Sequence, residues 1–209
     1  MTPPREPIET RRRQLIEAGL QVLEEDGLAK VSTRSVASRA RVPLSTVHYC
    51  FKGKDELLQQ MLESALARDQ ALVLRQAASG RDFRETLRLG LEALVDDAVA
   101  HPQRTVAHTE LSVYALRNPK SVDLVRAQYA TLQAAAATLL DLAIGKSTQR
   151  ERTRVVGLPD LVACAMDGIM MRVCVVGDRG SAAEAVHALV DALDLLTSAT
   201  AQAETSSPL

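Results

Sequence analysis

A short polar segment near the N-terminus carries the side chains with the most recognisable chemistry. Residues 44–50, LSTVHYC, contain two small hydroxyls, an imidazole and a phenol, and two lysines follow within four residues. Short polar groups on a helix can reach base edges in the major groove of DNA, and lysines bind phosphates. The segment therefore predicts recognition of a nucleic acid.

Positive charge is concentrated in the same part of the chain. Between Gly27 and Lys54 there are six basic residues and no acidic one, whereas the 209 residues together carry 25 basic and 26 acidic. A basic patch on an otherwise acidic chain is typical of a protein that binds a polyanion. Judged on charge alone, the alternative interpretation is a solvated basic surface that has no partner.

Catalytic and metal-binding patterns are missing from the sequence. It has no glycine-rich phosphate loop, no serine elbow and no cluster of His, Cys and Asp at ligand spacing. Cys50, Cys164 and Cys174 have no disulfide or metal spacing, which favours reduced thiols in a cytoplasmic protein. Neither a signal-peptide core nor an apolar run long enough for a membrane is present. We predict a non-enzymatic cytoplasmic protein without cofactor, metal ion or membrane association.

Apolar residues recur with a helical period throughout, which predicts an all-α fold of about nine helices. The first helix is expected to end at Gly27, and Ser32 or Thr33 to cap the second. A third short helix covers residues 44–50, after a break at a proline. Two short helices joined by a tight turn behind a longer one make the layout of a tri-helical helix-turn-helix.

Six longer helices are predicted to follow. The first runs from the turn at residues 52–54 to about Ala78, and the polar stretch 146–154 is expected to be a loop. A capping box formed by Ser181 and Glu184 is expected to start the last helix. The remaining helices are predicted at residues 82–100, 102–118, 121–144, 158–176 and 182–200.

The last two helices are apolar on more than one face, although a surface helix of a monomer needs only one apolar stripe. Burial against a second copy of the chain is the simplest explanation, and a central position in a monomeric bundle is the alternative. The residues expected at a dimer interface are Leu161, Ala165, Ile169, Val186, Leu189, Val190, Leu193 and Leu196.

The stretch STRSVASRARVPLSTVHYCFKGKDELL resembles the signature of the TetR (tetracycline repressor) family. The positions that agree with the family pattern are Thr33, Ala37, Ala40, Val42, Thr46, Tyr49, Phe51, Lys54 and Leu57. The resemblance implies a homodimeric transcription regulator, most simply a repressor that a small-molecule effector releases from a palindromic DNA operator. It also implies a helix-turn-helix domain over residues 1–56, a ligand-binding and dimerisation domain over 57–202, and a disordered tail over 203–209.

The resemblance also assigns residues to DNA. It implies phosphate contacts for Thr33, Tyr49 and Lys54, and contacts to bases for Leu44, Ser45 and His48. Thr46 would contact the backbone or cap the recognition helix, and the run Arg11–Arg13 would reach flanking phosphates. The complete predicted DNA-binding set is Thr33, Arg34, Arg41, Leu44, Ser45, Thr46, His48, Tyr49, Lys52 and Lys54.

The segment departs from the family pattern at two positions. Arg41 stands where the family usually has glycine, at a turn position that favours a left-handed backbone, and a side chain there costs roughly 1 kcal/mol. We hypothesise that an additional phosphate contact by Arg41 offsets this cost. His48 occupies a position where an aromatic ring is common, which leaves the base preference near it undefined.

The family resemblance implies an effector site in the larger domain, and polar or soft residues that interrupt apolar stripes are the candidates to line it. These are His108, Glu110, Tyr114, Tyr129, Met166, Asp167, Met170 and Met171. Core packing by the methionines is the competing interpretation. Two other functions stay open at this stage: an all-helical small-molecule carrier or enzyme without DNA binding, and a DNA-binding regulator controlled by a protein or by no effector.

Overall fold

The computed structural model describes residues 7–117, 122–146 and 156–204. In these ranges the chain forms nine α-helices and a 3-10 turn at Leu28–Lys30, without a strand. The helices are α1 Ile8–Asp26, α2 Thr33–Arg39, α3 Leu44–Cys50, α4 Lys54–Ala77, α5 Phe83–Ala100, α6 Pro102–Arg117, α7 Val122–Gly145, α8 Leu158–Val176 and α9 Arg179–Glu204. The predicted all-α class is confirmed.

The helices form two compact units. The described part of the first unit is residues 7–66, 106–117 and 122–128, and that of the second is 67–105, 129–146 and 156–204. The boundaries between the units fall inside α4, α6 and α7, so each of these three helices contributes residues to both.

The first unit is built around the buried face of α1. Leu15, Val22 and Leu23 are at most 3% exposed, and α1 packs against both α2 and α3. Burying a side chain of this size stabilises the fold by about 1.5–3 kcal/mol. Gly19 lets α4 come close, since a Cβ there would lie 2.7 Å from the sulfur of Met61. These contacts fix the three N-terminal helices on the first part of α4.

The second unit has one continuous apolar core. Its fully buried members include Ala77 of α4, Leu87 of α5, Ala143 of α7 and Leu193 of α9. Polar side-chain contacts on the surface align α5 with α9 in an antiparallel register. They join Arg179 to Asp96 at 2.6 Å, His187 to Glu92 at 2.7 Å and Arg84 to Asp194 at 3.5 Å.

The start of α9 differs from the prediction. The helix begins at Arg179, and the capping box of Ser181 and Glu184 is wrong. Asp178 caps it instead, because its two carboxylate oxygens accept the backbone N–H groups of Gly180 at 2.9 Å and Ser181 at 3.2 Å. Hydrogen bonds from Ser181 and Gly180 lower the pKa of Asp178, which keeps the cap ionised.

Several predicted features lie outside the described residues. These are most of the N-terminal arm, the helix end at residues 118–119 and the loop at 147–154. The predicted tail begins within α9, which continues to Glu204, and residues 205–209 are not described. None of the described helices has the length and hydropathy that a membrane crossing requires.

Candidate DNA-binding surface

The cap of α2 is Ser32, one of the two residues predicted for it. Its Oγ accepts the N–H of Ser35 at 3.0 Å, and the Oγ of Ser35 accepts the N–H of Ser32 at 2.9 Å. This reciprocal pair satisfies two backbone donors at the helix start. Thr33 is therefore the first residue of α2, and its side chain is half-buried.

The turn between α2 and α3 contains a strained residue. Arg41 has φ 55, the only positive φ among the non-glycine residues that the structure describes. The predicted left-handed conformation at this position is confirmed. Hydrogen bonds hold the turn on both sides, from Arg41 N to Ser38 O at 3.1 Å and from Val42 N to Ala37 O at 3.0 Å. The Arg41 side chain is exposed.

Helix α3 divides into a buried and an exposed face. Val47 and Cys50 are buried, as is Phe51 directly after the helix. Leu44 and Thr46 are half-buried. The exposed side chains are Ser45, His48 and Tyr49, the last with 67% of its surface accessible.

The proposed capping role of Thr46 is wrong. Pro43 occupies the N-cap position of α3, and no side chain caps the helix there. Thr46 is the third residue of the helix, one turn past the position from which a hydroxyl can accept the first N–H groups. Its backbone N–H bonds to the carbonyl of Pro43 at 2.9 Å.

Arg12 of α1 anchors the end of α3. Its guanidinium lies 4.7 Å from the centroid of the Phe51 ring, and one nitrogen donates to the carbonyl oxygen of Cys50. A second nitrogen binds the carboxylate of Glu56 at 3.1 Å. The other carboxylate oxygen of Glu56 accepts the N–H of Lys52 at 2.8 Å. One arginine thus holds the last carbonyl of α3, the residue after it and the first turn of α4.

This role for Arg12 corrects the idea that the whole run Arg11–Arg13 reaches phosphates. The guanidinium of Arg12 is bound by groups of its own chain, and Arg11 donates a hydrogen bond to Gln14 at 2.9 Å. Arg13 is exposed. Sequence reasoning missed the anchor because its partners are 38 to 44 positions away in the chain.

Two titratable groups near α3 are shifted by their surroundings. The hydrogen bond from Lys52 N, helped by Arg12, lowers the pKa of Glu56 and keeps it ionised as the partner of Arg12. Burial raises the pKa of the Cys50 thiol, which favours its neutral form. Cys50 is therefore a packing residue, consistent with its place in the buried face of α3.

The basic residues of the segment have different surroundings. The charges of Lys30, Arg34, Arg41 and Lys52 lie on exposed side chains. Arg39 is paired with Glu25 at 2.7 Å. The ammonium of Lys54 lies 5.8 Å from the centroid of the Tyr114 ring on α6, within the range of a cation–π contact.

Three of the residues predicted to line an effector site belong to the first unit and have specific partners there. His108 Nε2 lies 2.9 Å from the amide nitrogen of Gln128. A carboxylate oxygen of Glu110 accepts the N–H of Leu28 at 2.8 Å, and Tyr114 contacts Lys54.

The other five belong to the second unit. Met166 is buried in its core and Met170 packs against that core, as the competing interpretation of the methionines stated. Met171, Asp167 and Tyr129 are exposed. The negative charge of Asp167 raises the pKa of Tyr129, with smaller effects of burial and Cys164, so these two predicted residues are neighbours.

The predicted dimer-interface residues divide by burial. Val186, Val190 and Leu193 are at most 3% exposed and pack inside their own chain, which corrects their assignment to a partner surface. Leu161 and Leu196 are exposed. The half-buried residues of the set are Ala165, Ile169 and Leu189.

Two short helices, α2 and α3, joined by a tight turn behind the longer α1, have the layout of a helix-turn-helix, and α3 presents the exposed polar face that such a motif directs to DNA. Comparison with known proteins gives the family. Residues 15–61 match the family described as "Bacterial regulatory proteins, tetR family", and residues 81–194 match "Tetracyclin repressor-like, C-terminal domain". The chain belongs to the TetR family of DNA-binding transcriptional regulators.

One relative and two solved structures illustrate this membership. The chain is 30% identical over 162 residues to the HTH-type nicotine-responsive transcriptional repressor HdnoR of Paenarthrobacter nicotinovorans, covering 78% of this chain and 82% of that one. A TetR-family regulator from Rhodococcus sp. has the same fold with a TM-score of 0.72 and 21% identity, over 90% of this chain and 99% of that one. The multidrug binding protein EbrR complexed with ethidium gives a TM-score of 0.65 with 23% identity, over 90% and 99%.

Proposed function

We propose that the protein is a repressor that binds a palindromic DNA operator as a homodimer and leaves it when a small molecule binds within residues 57–202. The observation that carries the proposal is the exposed face of α3, formed by Ser45, His48 and Tyr49 beside Arg41. These side chains stand on a short helix whose other face is buried and whose end is anchored by Arg12.

The contacts expected with DNA follow from the chemistry of each side chain. Ser45 and His48 read base edges together with Leu44, because hydroxyl and imidazole groups donate and accept hydrogen bonds. Thr33, Tyr49 and the exposed basic residues bind phosphates, which fix the position of the helix without reading sequence. The exposed basic residues of this set are Arg34, Arg41 and Lys52. Lys54 joins them from the start of α4.

A small-molecule effector is supported by the relatives. HdnoR is named a nicotine-responsive repressor, and EbrR is named a multidrug binding protein. We assign the effector to residues 57–202, the proposed ligand-binding and dimerisation domain, and DNA to residues 1–56. Tyr129, Asp167 and Met171 are the exposed candidates that contact it.

Homodimerisation is supported by the outward face of α9. Exposed Ala188, Ala192, Leu195 and Leu196 give this helix an apolar stripe, with Leu195 70% accessible, alongside the exposed polar residues Glu184, His187 and Asp191. Helix α8 also carries exposed apolar residues, which are Leu161, Met171 and Val175. An apolar face of this extent is typical of a surface that a second protein copy covers. We place the protein in the cytoplasm, where its DNA is, and assign it no enzymatic activity.

The proposal is tested by selecting duplexes from a random double-stranded DNA library with the purified full chain. We expect an enriched palindrome, bound with an affinity that falls steeply with salt. A dimer that neutralises about eight phosphates gives a log–log slope near −7. Selection of sequences without two-fold symmetry would contradict the dimeric operator, and no enrichment at any salt would contradict DNA recognition.

Variants of α3 separate base contacts from phosphate contacts. Ser45→Ala combined with His48→Ala is expected to reduce the preference for the selected palindrome over scrambled DNA while leaving the salt slope unchanged. Lys52→Ala is the matched opposite: it removes one phosphate contact in each subunit, so it lowers the magnitude of the slope by about 1.8 per dimer and weakens both duplexes equally. Nicotine and ethidium, added to the wild-type complex, are the first effector probes.

A further inference from the structure

Two side chains of α6 contact the segments that flank α2 and α3 in the sequence, within the first unit. Glu110 and Tyr114 are four residues apart, so they lie on the same face of α6. Both were predicted to line an effector site, and both contact residues next to the helix-turn-helix.

Glu110 holds the connection between α1 and α2. Its carboxylate accepts the N–H of Leu28 at 2.8 Å, at the start of the 3-10 turn, across 82 positions of sequence. A Cβ on Gly27 would lie 3.7 Å from both oxygens, so the carboxylate covers this turn. The negative charge lies at the N-terminal end of a helical turn, where it is favourable. The turn leads into the cap of α2 and so determines where the helix-turn-helix begins.

Tyr114 holds the other end of the DNA-binding helices. Its ring centroid lies 5.8 Å from the ammonium of Lys54, and its hydroxyl lies 3.4 Å from a carboxylate oxygen of Asp55. Both partners are in the first turn of α4, directly after α3. The ring thus restrains a lysine that the proposed function assigns to phosphate.

The opposite side of α6 is tied to α7. His108 and Ser112, again four residues apart, both contact the side chain of Gln128, which is 5% exposed. The amide nitrogen of Gln128 lies 2.9 Å from each of the two partner atoms. Residues 108 and 110 differ by two positions, about 200° around the helix. One face of α6 therefore contacts α7, and the other contacts the turn before α2 and the first turn of α4.

We propose that Glu110 and Tyr114 are positioning residues for DNA binding. Glu110 holds the α1–α2 turn and Tyr114 holds Lys54, so that α3 and Lys54 are positioned to contact DNA. Through these two side chains, α6 affects the orientation of the DNA-binding surface directly as well as through α4. The inference rests on the proposed function, because it assigns the two residues to the orientation of the same DNA-binding surface.

The first test compares Glu110→Ala with Glu110→Gln, using the duplex selected by the wild-type protein. Both variants remove the charge, but only glutamine keeps an oxygen that can accept the N–H of Leu28. We expect Glu110→Ala to bind about tenfold more weakly than Glu110→Gln, the equivalent of one hydrogen bond. Hydrogen exchange in the peptide containing Leu28 should rise in the alanine variant and stay near wild type in the glutamine variant. Equal affinities and equal exchange in the two variants would overturn the role of Glu110.

The second test compares Tyr114→Leu with Tyr114→Phe. Phenylalanine keeps the ring under Lys54, and leucine removes it but keeps an apolar side chain. The leucine variant should lose one phosphate contact in each subunit, so its salt slope should be about 1.8 smaller in magnitude per dimer, whereas phenylalanine should retain the wild-type slope. A purely structural role would lower stability without changing the slope. Identical slopes in the two variants would overturn the role of Tyr114.

The two pairs of variants distinguish a failure of this inference from a failure of a variant to fold and from a failure of the proposed function. If Glu110→Ala does not fold, the Tyr114 pair decides, because its readout is a slope and not an amount of folded protein. If the wild-type chain selects no duplex, the proposed function fails, and the exchange at Leu28 still decides whether Glu110 holds the turn.

Discussion

The guanidinium of Arg12 lies 4.7 Å from the centroid of the Phe51 ring, and this contact joins the first helix to the end of the recognition helix. The same guanidinium binds the last carbonyl of α3 and the carboxylate of Glu56. A positive charge near the C-terminus of a helix is favourable, and the ring shields it from water. A residue that the family resemblance assigned to DNA therefore stabilises the fold of the DNA-binding unit.

Replacing Arg12 by alanine should lower the free energy of unfolding by about 1–3 kcal/mol, because a half-buried carbonyl and carboxylate lose their charged donor. Urea unfolding followed by circular dichroism measures this. Arg13→Ala removes the same charge from an exposed position of the same helix and is the control. We expect it to leave stability within about 0.5 kcal/mol of wild type. Equal losses in the two variants would show that Arg12 is not an anchor.

Arg41→Gly should separate strain from DNA contact at the turn. Glycine adopts φ 55 without steric cost, so relief of strain stabilises the folded protein by about 1 kcal/mol. If Arg41 contacts a phosphate in each subunit, the salt slope for the selected duplex becomes smaller in magnitude by about 1.8 per dimer. Arg41→Asn is the comparison, because asparagine tolerates this backbone conformation without the charge. Unchanged affinity and salt dependence in Arg41→Gly would dispose of the phosphate contact.

The stability of the first unit should depend on the ionisation of Glu56. Hydrogen bonding by Lys52 N and the charge of Arg12 lower the pKa of this carboxyl in the folded state. Its contribution is therefore complete above the ordinary glutamate pKa, about 4.3, and is lost as the pH falls through the lower folded-state value. Glu56→Gln should flatten this acid-side loss in urea unfolding midpoints measured from pH 7 downwards. A variant that loses stability in acid as steeply as wild type would contradict the assignment.

The pH dependence of stability that Asp69 on α4 contributes should have the opposite sign. Burial raises the pKa of this carboxyl, and Arg68, at 3.1 Å, only partly compensates. The folded state therefore disfavours the ionised form, and stability is lost as the pH rises through the raised value. Asp69→Asn should stabilise the protein modestly at neutral pH and lose this advantage in acid.

The matched variant for Asp69 is Asp97→Asn, also in the second unit. Asp97 binds Arg104 at 2.8 Å, so the change removes an ion pair and should destabilise by up to about 1 kcal/mol at neutral pH. Thermal unfolding at pH 7 compares the two. Destabilisation by Asp69→Asn at this pH would show that its pair with Arg68 outweighs burial.

A charge on the outward face of α9 should prevent dimerisation. Leu195→Glu introduces a carboxylate where the proposed partner would exclude water, at a cost of several kcal/mol for an unpaired buried charge. Light scattering coupled to gel filtration should report a monomer for this variant. Ala100→Glu, at an exposed position of α5, is the control and should retain the wild-type mass. A dimer in both variants would move the interface away from Leu195.

Local features of this protein follow from its sequence because their causes are local. The helix predicted at residues 158–176 is confirmed as Leu158–Val176; Pro159 lies in its first turn, and Gly177 ends it with a left-handed φ of 69. The exposed face of α3 follows from the 3.6-residue period around Val47 and Cys50. The left-handed Arg41 follows from the turn of the helix-turn-helix.

Partners that are distant in sequence required the tertiary structure. Arg12 and Arg13 are adjacent basic residues, yet only Arg12 meets Phe51 and Glu56, because the packing of α1 against α3 brings them together. In the sequence, Glu110 is only a polar interruption of an apolar stripe. In the structure, α6 places its carboxylate at the N–H of Leu28.

The apolar last helix shows the same division. Its sequence determines that two faces are apolar, since the period of the helix and the identity of its residues are sufficient for that. Which face belongs to the chain's own core is decided by the helices packed around it: Val186 and Leu193 are buried, and Leu195 is exposed. A periodic pattern records how much surface needs burial, and only the packing of the whole chain determines what buries it.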